Sequence, residues 1–421
     1  RADMYSPKFA LLVIGAAALG WLCAQFLPPL EWLEQLTELL RTAFFAALKM
    51  LIAPLIFFSL ISGVMELRNT RSMGRLGAVT LGYYLFTTAI AVAIGLIVVF
   101  FIHPWTAFAP LVEDPGAYAS VGATAPRLID PGDGSLFALA NSLLQRMLTN
   151  PFTALGEMNI LGILVIAILF GTATALTIED DSPLPRLLSD ITQGIYRLAG
   201  WVLMALPLGL FAVTYQLSTQ INLDTVSALA QFAGVVLGAT MLHGLIVLPM
   251  LAWWVSGIAP WRFLRLIVQP LITALATSSS AATLPLSMTT AEQQLQVKRA
   301  RSAFVLPLGA TANMDGTALF EGVAAVFLAY MFGVELGTVG IVAVFIVAML
   351  SSVGAPGMPS GSMAGMQLVL IAVGIPLEAI GLLLIIERPL DTFRTAVNVE
   401  GDLVACLVAE RFGHTGEAAT T

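Results

Sequence analysis

Of 421 residues, 58% are hydrophobic, and 19 Lys and Arg with 26 Asp and Glu leave only 11% charged, where soluble domains carry roughly a quarter. With a mean hydropathy of +0.90, the chain has too little polar surface to wrap the ~3 water-soluble domains its length would suggest, so lipid must solvate most of it. A net charge of −7 with only short basic clusters excludes a nucleic-acid binder, and two isolated cysteines with three histidines at no ligand spacing exclude a disulfide framework and the common zinc sites.

Apolar runs near the ~20 residues that cross a bilayer are expected as spans at 9–28, 43–65, 76–102, 157–178, 192–218 and 226–257. The first is read as a retained span, and the polar stretch 104–150 as a solvated connector. Arg1 and Lys8, then Arg68, Arg71 and Arg75, then Arg186, then Arg262 and Arg265 all fall on one side if each span crosses once, which makes that side cytoplasmic. His243, inside the run 240–248, is expected to be a hydrogen-bonded helix residue.

Lys298, Arg299 and Arg301 form a further basic cluster on that side. The apolar stretch before them, interrupted at Thr277, Ser278, Ser279 and Ser280, therefore enters and returns, as a re-entrant hairpin over 260–297. A second interrupted stretch, 336–374, breaks at 351–362 and has only acidic residues (Glu335, Glu378) at its flanks, consistent with insertion from the opposite side. Irregular backbone at that depth must be buried or line a cavity, and in transporters paired interruptions point to the binding site.

Between the two, 302–332 is interrupted at 309–317, where Asn313 and Asp315 sit in otherwise apolar sequence. A carboxylate at membrane depth costs several kcal/mol unless compensated, and oxygen donors suit a small, hard cation; the alternative is an interhelical hydrogen-bonded pair. In the last span, 377–411, Asp391, Arg394, Asn398 and Asp402 recur at helical spacing on one face. Such a face suits a zwitterionic ligand with an extra carboxylate, with Arg394 on that carboxylate and Asp391 on the ammonium. An internal Asp391–Arg394 salt bridge is the alternative. Helix N-termini at the serine and glycine breaks would attract a carboxylate, or the serines cap helices, or both. Ser278 to Ser280 have no neighbouring His or Lys in sequence to act as base, so no enzymatic activity is expected.

The segments LKMLIAPLIFFSLISGV (48–64), YYLFTTA (83–89), TSSSAATLP (277–285), GATANMDGTALFEG (309–322), GAPGMPSG (354–361) and RPLDTFRTAVNVEGD (388–402) together resemble the dicarboxylate/amino acid:cation symporter family of glutamate and aspartate transporters. The resemblance spans nearly the whole chain. It implies an all-α membrane fold of eight transmembrane helices plus two re-entrant helical hairpins arranged as inverted repeats, assembled as a homotrimer; with no long soluble tails and no glycosylated-looking outer loop, a prokaryotic plasma (inner) membrane is expected. Scaffold and trimerisation helices would occupy 1–75, a transport-part helix 76–102, and an outer loop with further scaffold helices 103–225. The moving transport part would be 226–411, with hairpins at 260–297 and 336–374 flanking a helix at 300–332 and followed by a helix at 377–411; 412–421 would be a cytoplasmic tail.

The resemblance also implies uptake of L-glutamate or L-aspartate by an elevator-like movement coupled to sodium, with C4-dicarboxylate:cation symport as the alternative. Its substrate residues would be Ser279, Ser280, Met314, Thr317, Met358, Asp391, Arg394, Thr395 and Asn398. One sodium site would use Gly309, Asn313, Asn398 and Asp402; a second Thr311 with Ser352, Val353 and Ala355; a third Tyr84, Thr87, Thr88, Asn313 and Asp315. Glu321 stands where family members that also move a proton carry glutamate, so H+ is expected as an additional coupling ion. Ser278 and Thr392 lack the accessory arginines that archaeal and eukaryotic members carry at those two positions.

Overall fold

The computed structural model describes residues 7–28, 30–66, 75–111, 144–145, 147–157, 159–179, 181–217, 223–353, 362–375 and 379–413. These residues are almost entirely helical, and no strand occurs among them. Helices α1 (Pro7–Phe26), α2 (Glu31–Glu66) and α3 (Arg75–Phe101) open the chain. Helix α2 begins well before the expected 43 because its first turns carry Glu31, Glu34 and Glu38; a search by apolar length sees only its second half. Most of the expected connector, 112–143, lies outside the described residues.

After a short α4 (Pro151–Gly156), α5 (Ile160–Thr177) starts at Asn159, whose side chain accepts from the Gly162 N–H, one of the otherwise orphaned donors of a first turn. The expected span 192–218 is instead two helices, α6 (Leu184–Met204) and α7 (Leu206–Leu217), bent by 48°. Ser182 accepts from the Leu184 N–H at the start. Pro207, which cannot donate and clashes with the preceding turn, explains the break at Ala205.

Helix α8 (Leu223–Leu242) continues through a π turn, His243–Val247, into α9 (Leu248–Ser256), which stops at left-handed Gly257, φ +75°. The first interrupted segment then folds as α10 (Pro260–Leu266), α11 (Val268–Thr277) and α12 (Ser280–Gln293). Ser278 closes α11 in the left-handed region, φ 50°, and Ser279 caps α12 by accepting from the Ala282 N–H at 3.2 Å. The next run breaks as expected, into α13 (Arg299–Ala312) and α14 (Asp315–Met331), with Asn313 and Met314 between them. The second interrupted segment gives α15 (Thr338–Val353) and α16 (Ser362–Val373); α17 (Ile380–Phe412) ends the described chain. Residues 354–361, which include Ala355 and Met358, lie outside the described set.

Among the described residues, three stretches are long and apolar enough to cross a membrane: Arg75–Ala107, Leu223–Ser256 and Arg299–Met331. The bent pair α6–α7 makes a fourth if taken as one span. Helix α17 is long but carries Glu387, Arg388, Asp391, Arg394, Glu400 and Asp402, nearly all buried against protein.

Packing separates two neighbourhoods. Helices α1 and α2 pack on α5, α6 and α7, whereas α3, α8, α9 and α11 to α16 pack on one another or on α17. The second neighbourhood has an aromatic core in which Phe232 and Phe327 stack at 4.4 Å between ring centroids, Trp105 meets Phe327 edge-on at 5.3 Å, and Phe320 packs on Phe232. Each such ring buries a large apolar area, and this core fixes α14 against α8. Gly316 matters for the approach of α14 to α17, because a Cβ there would stand 2.7 Å from the Arg394 carbonyl oxygen.

Candidate functional site

The break in α13–α14 places Asn313 and Asp315 beside α3, α17 and the π turn. Asp315 Oδ1 accepts from the Thr88 hydroxyl at 2.8 Å and from the Thr87 hydroxyl at 3.3 Å, while Oδ2 lies 3.1 Å from His243 Nε2. Asn313 Nδ2 donates to Asp402 Oδ1 at 3.0 Å, and Asn313 Oδ1 has no partner among the described residues. Asp315, Asn313 and His243 are wholly buried, and Asp402 nearly so. The Asp402 carboxylate and the Tyr84 hydroxyl both press on Gly309, leaving no room there for a side chain. The Tyr84 hydroxyl itself donates to the Val305 carbonyl at 2.8 Å, so Tyr84 faces the Gly309–Asp402 side of the cluster while Thr87 and Thr88 face Asp315.

Glu400, two residues before Asp402 on α17, is a further buried carboxyl whose Oε1 has no hydrogen-bond partner among the described residues. Asp315, Asp402 and Glu400 have no Lys or Arg ion-pair partner among the described residues. Buried anions held only by hydroxyls, an amide and an imidazole are under-compensated, and oxygen-rich surroundings suit a small hard cation. No group of three His, Cys, Asp or Glu side chains that could hold a transition metal occurs among the described residues.

The other residues expected around a second cation are more dispersed. The Thr311 hydroxyl donates to Leu308 O at 3.1 Å and the Ser352 hydroxyl to Met349 O at 2.8 Å, each within its own helix. Helices α13 and α15, which carry them, are packed together, and Val353 is the last residue of α15.

A second polar cluster lies on α17. Arg394, 1% exposed, donates through Nη2 to Asp391 Oδ1 at 3.0 Å and to Glu387 Oε1 at 2.7 Å. Its Cζ stands 4.0 Å from the centroid of the Phe320 ring, a cation–π arrangement that holds the guanidinium in place. Nε and Nη1 have no hydrogen-bond partner among the described residues. The internal Asp391–Arg394 pair weighed from spacing is thus present, and Glu387 joins it. Asn398 binds α14: its Oδ1 accepts from the Gly316 N–H at 2.8 Å, and its Nδ2 lies 3.2 Å from Met314 Sδ and 3.4 Å from Thr317 Oγ1. Thr395 donates to the Asp391 carbonyl. Ser279 and Ser280 are buried at the α11–α12 break, whose second arm, like the first, packs on α17.

Glu321, fully buried on α14, accepts from the Ser351 hydroxyl of α15, and its Oε1 lies where a Cβ on Gly365 of α16 would stand. Both arms of the second interrupted segment therefore close on this one carboxyl. Spacing did not single out Glu387, although it lies four residues before Asp391 and seven before Arg394, on the same face. It also gave His243 no partner, because Asp315 is 72 positions away and only the π turn brings the ring to it.

A family model described as "Sodium:dicarboxylate symporter family" matches residues 9–412. An excitatory amino acid transporter of Caenorhabditis elegans is 32% identical over 458 aligned positions, covering 98% of this chain and 90% of that protein. The human neutral amino acid transporter B(0) is 34% identical over 400 positions, 89% of this chain and 73% of that one. Mouse excitatory amino acid transporter 3 is 32% identical over 402 positions, 86% and 77% respectively.

Proposed function

Because this chain belongs to the sodium:dicarboxylate symporter family, we propose that it takes up acidic amino acids, L-aspartate and L-glutamate, together with sodium. The observation that carries the substrate class is Arg394: a buried guanidinium with two nitrogens unpartnered among the described residues, bonded to Asp391, next in sequence to Thr395 and one helical turn from Asn398. A substrate carboxylate would complete the guanidinium, Asp391 would accept the ammonium, and Asn398, Met314, Thr317, Thr395, Ser279, Ser280 and Met358 would surround the rest. The relatives' names include both excitatory and neutral amino-acid transporters; the cation at Arg394 favours the acidic class.

Asn313, Asp315 and Asp402, with Gly309, Tyr84, Thr87, Thr88 and Asn398, would hold sodium as cargo, and Thr311 with Ser352, Val353 and Ala355 would hold a further ion. Moving buried carboxylates uncompensated through a membrane is costly, so partly loaded carriers cross less readily than loaded ones. That is the physical basis of coupling. Glu321 would carry a proton: neutral, it rests easily between α15 and α16, and ionised, it would have to be resolvated. Alternating access would proceed by an elevator-like movement of 76–102 and 226–411 against a trimeric scaffold, with eight crossings and re-entrant hairpins at 260–297 and 336–374, in a plasma membrane.

C4-dicarboxylate symport is disfavoured by Asp391, an anion with no ammonium to bind in succinate. Competition against labelled aspartate uptake in proteoliposomes tests the assignment. Glutamate and aspartate should displace the label, with asparagine and succinate at least ~10-fold weaker, as the loss of one charge-assisted contact implies. Equal displacement by succinate would overturn it.

A further inference from the structure

The Glu387 carboxylate has no role in the reading above. It is 3% exposed, and its Oε1 accepts twice, from Arg394 Nη2 at 2.7 Å and from the Ser362 hydroxyl at 3.1 Å. Ser362 is the first residue of α16. One oxygen atom thus links the guanidinium on α17 to the second arm of the 336–374 segment. Asp391 takes a share of the same Nη2 at 3.0 Å, while its Oδ2 lies 4.0 Å from Arg388 Nη1, so two anions of the chain already hold the one Nη2 of Arg394. A third carboxylate that approaches Arg394 meets a guanidinium whose charge the chain's own carboxylates already balance, and Coulomb attraction in a buried setting is sensitive to that balance.

We propose that Glu387 is an internal competitor for Arg394: it sets how strongly, and how selectively by charge, the site binds a substrate carboxylate, and through Ser362 it makes the position of α16 depend on that competition. A substrate carboxylate that takes over the guanidinium weakens the Glu387–Arg394 contact, and the carboxylate to which α16 is tied changes its surroundings at the same moment. Loading of the site and the seating of α16 are then two readings of one exchange. The proposal rests on the reading of Arg394 as the group that receives the substrate's side-chain carboxylate.

The test uses the full chain, wild type, Glu387→Gln and Ser362→Ala. Labelled L-aspartate uptake in proteoliposomes, with L-asparagine as competitor, gives KM and charge selectivity. Hydrogen–deuterium exchange over residues 362–373, recorded without sodium or amino acid, gives the hold on α16. Glu387→Gln should lower the aspartate KM, by up to about tenfold for one charge-assisted contact, with competition by asparagine unchanged. Both variants should speed exchange across 362–373 several-fold. A raised aspartate KM in Glu387→Gln would overturn the proposal, as would an equal shift for asparagine, or exchange across 362–373 unchanged in both variants. Should wild type take up neither aspartate nor glutamate, the substrate reading fails, while the exchange comparison, which needs no amino acid, still decides the Glu387–Ser362–α16 link.

Discussion

Two buried polar clusters meet on α17 and solve the same problem differently. Around Arg394, charge is balanced within the chain: a guanidinium is shared by Glu387 and Asp391 and backed by the Phe320 ring. Around Asp315 and Asp402, carboxylates are held by threonine hydroxyls, an amide and a histidine, with no Lys or Arg pairing among the described residues. A self-balanced cluster can exchange one carboxylate for another at modest cost, and this suits reversible recognition of an acidic ligand. An under-balanced cluster needs an external positive charge, and this suits ion coupling. This difference is the basis on which we propose substrate recognition at the first cluster and cation binding at the second.

The comparison breaks most sharply at Arg394. Arg394→Ala leaves Glu387 and Asp391 buried without their cation, a change worth ~3–5 kcal/mol, and should cut kcat/KM for aspartate at least ~100-fold in proteoliposome uptake, while neutral amino acids lose far less. Loss of both alike would remove the arginine from recognition. Next come Asp315→Asn and Asp402→Asn, which should raise the sodium needed for half-maximal uptake ~10- to 100-fold, as for loss of a contact to a charged group, with the aspartate KM at saturating sodium moved much less. An unchanged sodium titration would show that this cluster is only structural.

Glu321 sharpens the comparison, because it belongs to neither cluster and touches both arms of the 336–374 segment. If the loaded carrier must hold a proton there, wild-type uptake falls as external pH rises, by up to ~10-fold per pH unit. Glu321→Gln, which mimics the neutral carboxyl, should flatten that dependence; a profile as steep as wild type would exclude Glu321 as the proton carrier. The smallest effect is expected at Thr88→Ala. It removes one neutral hydroxyl from Asp315, worth ~1 kcal/mol, and should shift the sodium titration about fivefold; a shift as large as that of Asp315→Asn would mean that the hydroxyl does more than orient the carboxylate.

Much of this was legible in the sequence, and the reasons are specific. The break at Asn313 and the serines at 278–280 stand out because polar residues interrupt apolar runs, and Asp391, Arg394, Asn398 and Asp402 share a helical spacing that survives into α17. What stayed hidden depends on long-range contact or on backbone irregularity. The Asp315–His243 contact requires a π turn, and the Glu321–Ser351–Gly365 contact joins three helices. Glu387 lay within the readable face, but its meaning comes from Ser362, 25 residues earlier. Helix starts were misplaced where amphipathic turns precede the apolar run, as at Glu31, or where a short cap such as Ser182 opens the helix.

The most direct test of the central assignment is uptake of labelled L-aspartate and L-glutamate into proteoliposomes, with inward sodium and inward proton gradients imposed separately. Uptake driven by the sodium gradient and raised further by a proton gradient is the predicted result. No uptake of either amino acid under either gradient, or uptake indifferent to sodium, would contradict the division of α17 into a substrate cluster and a cation cluster.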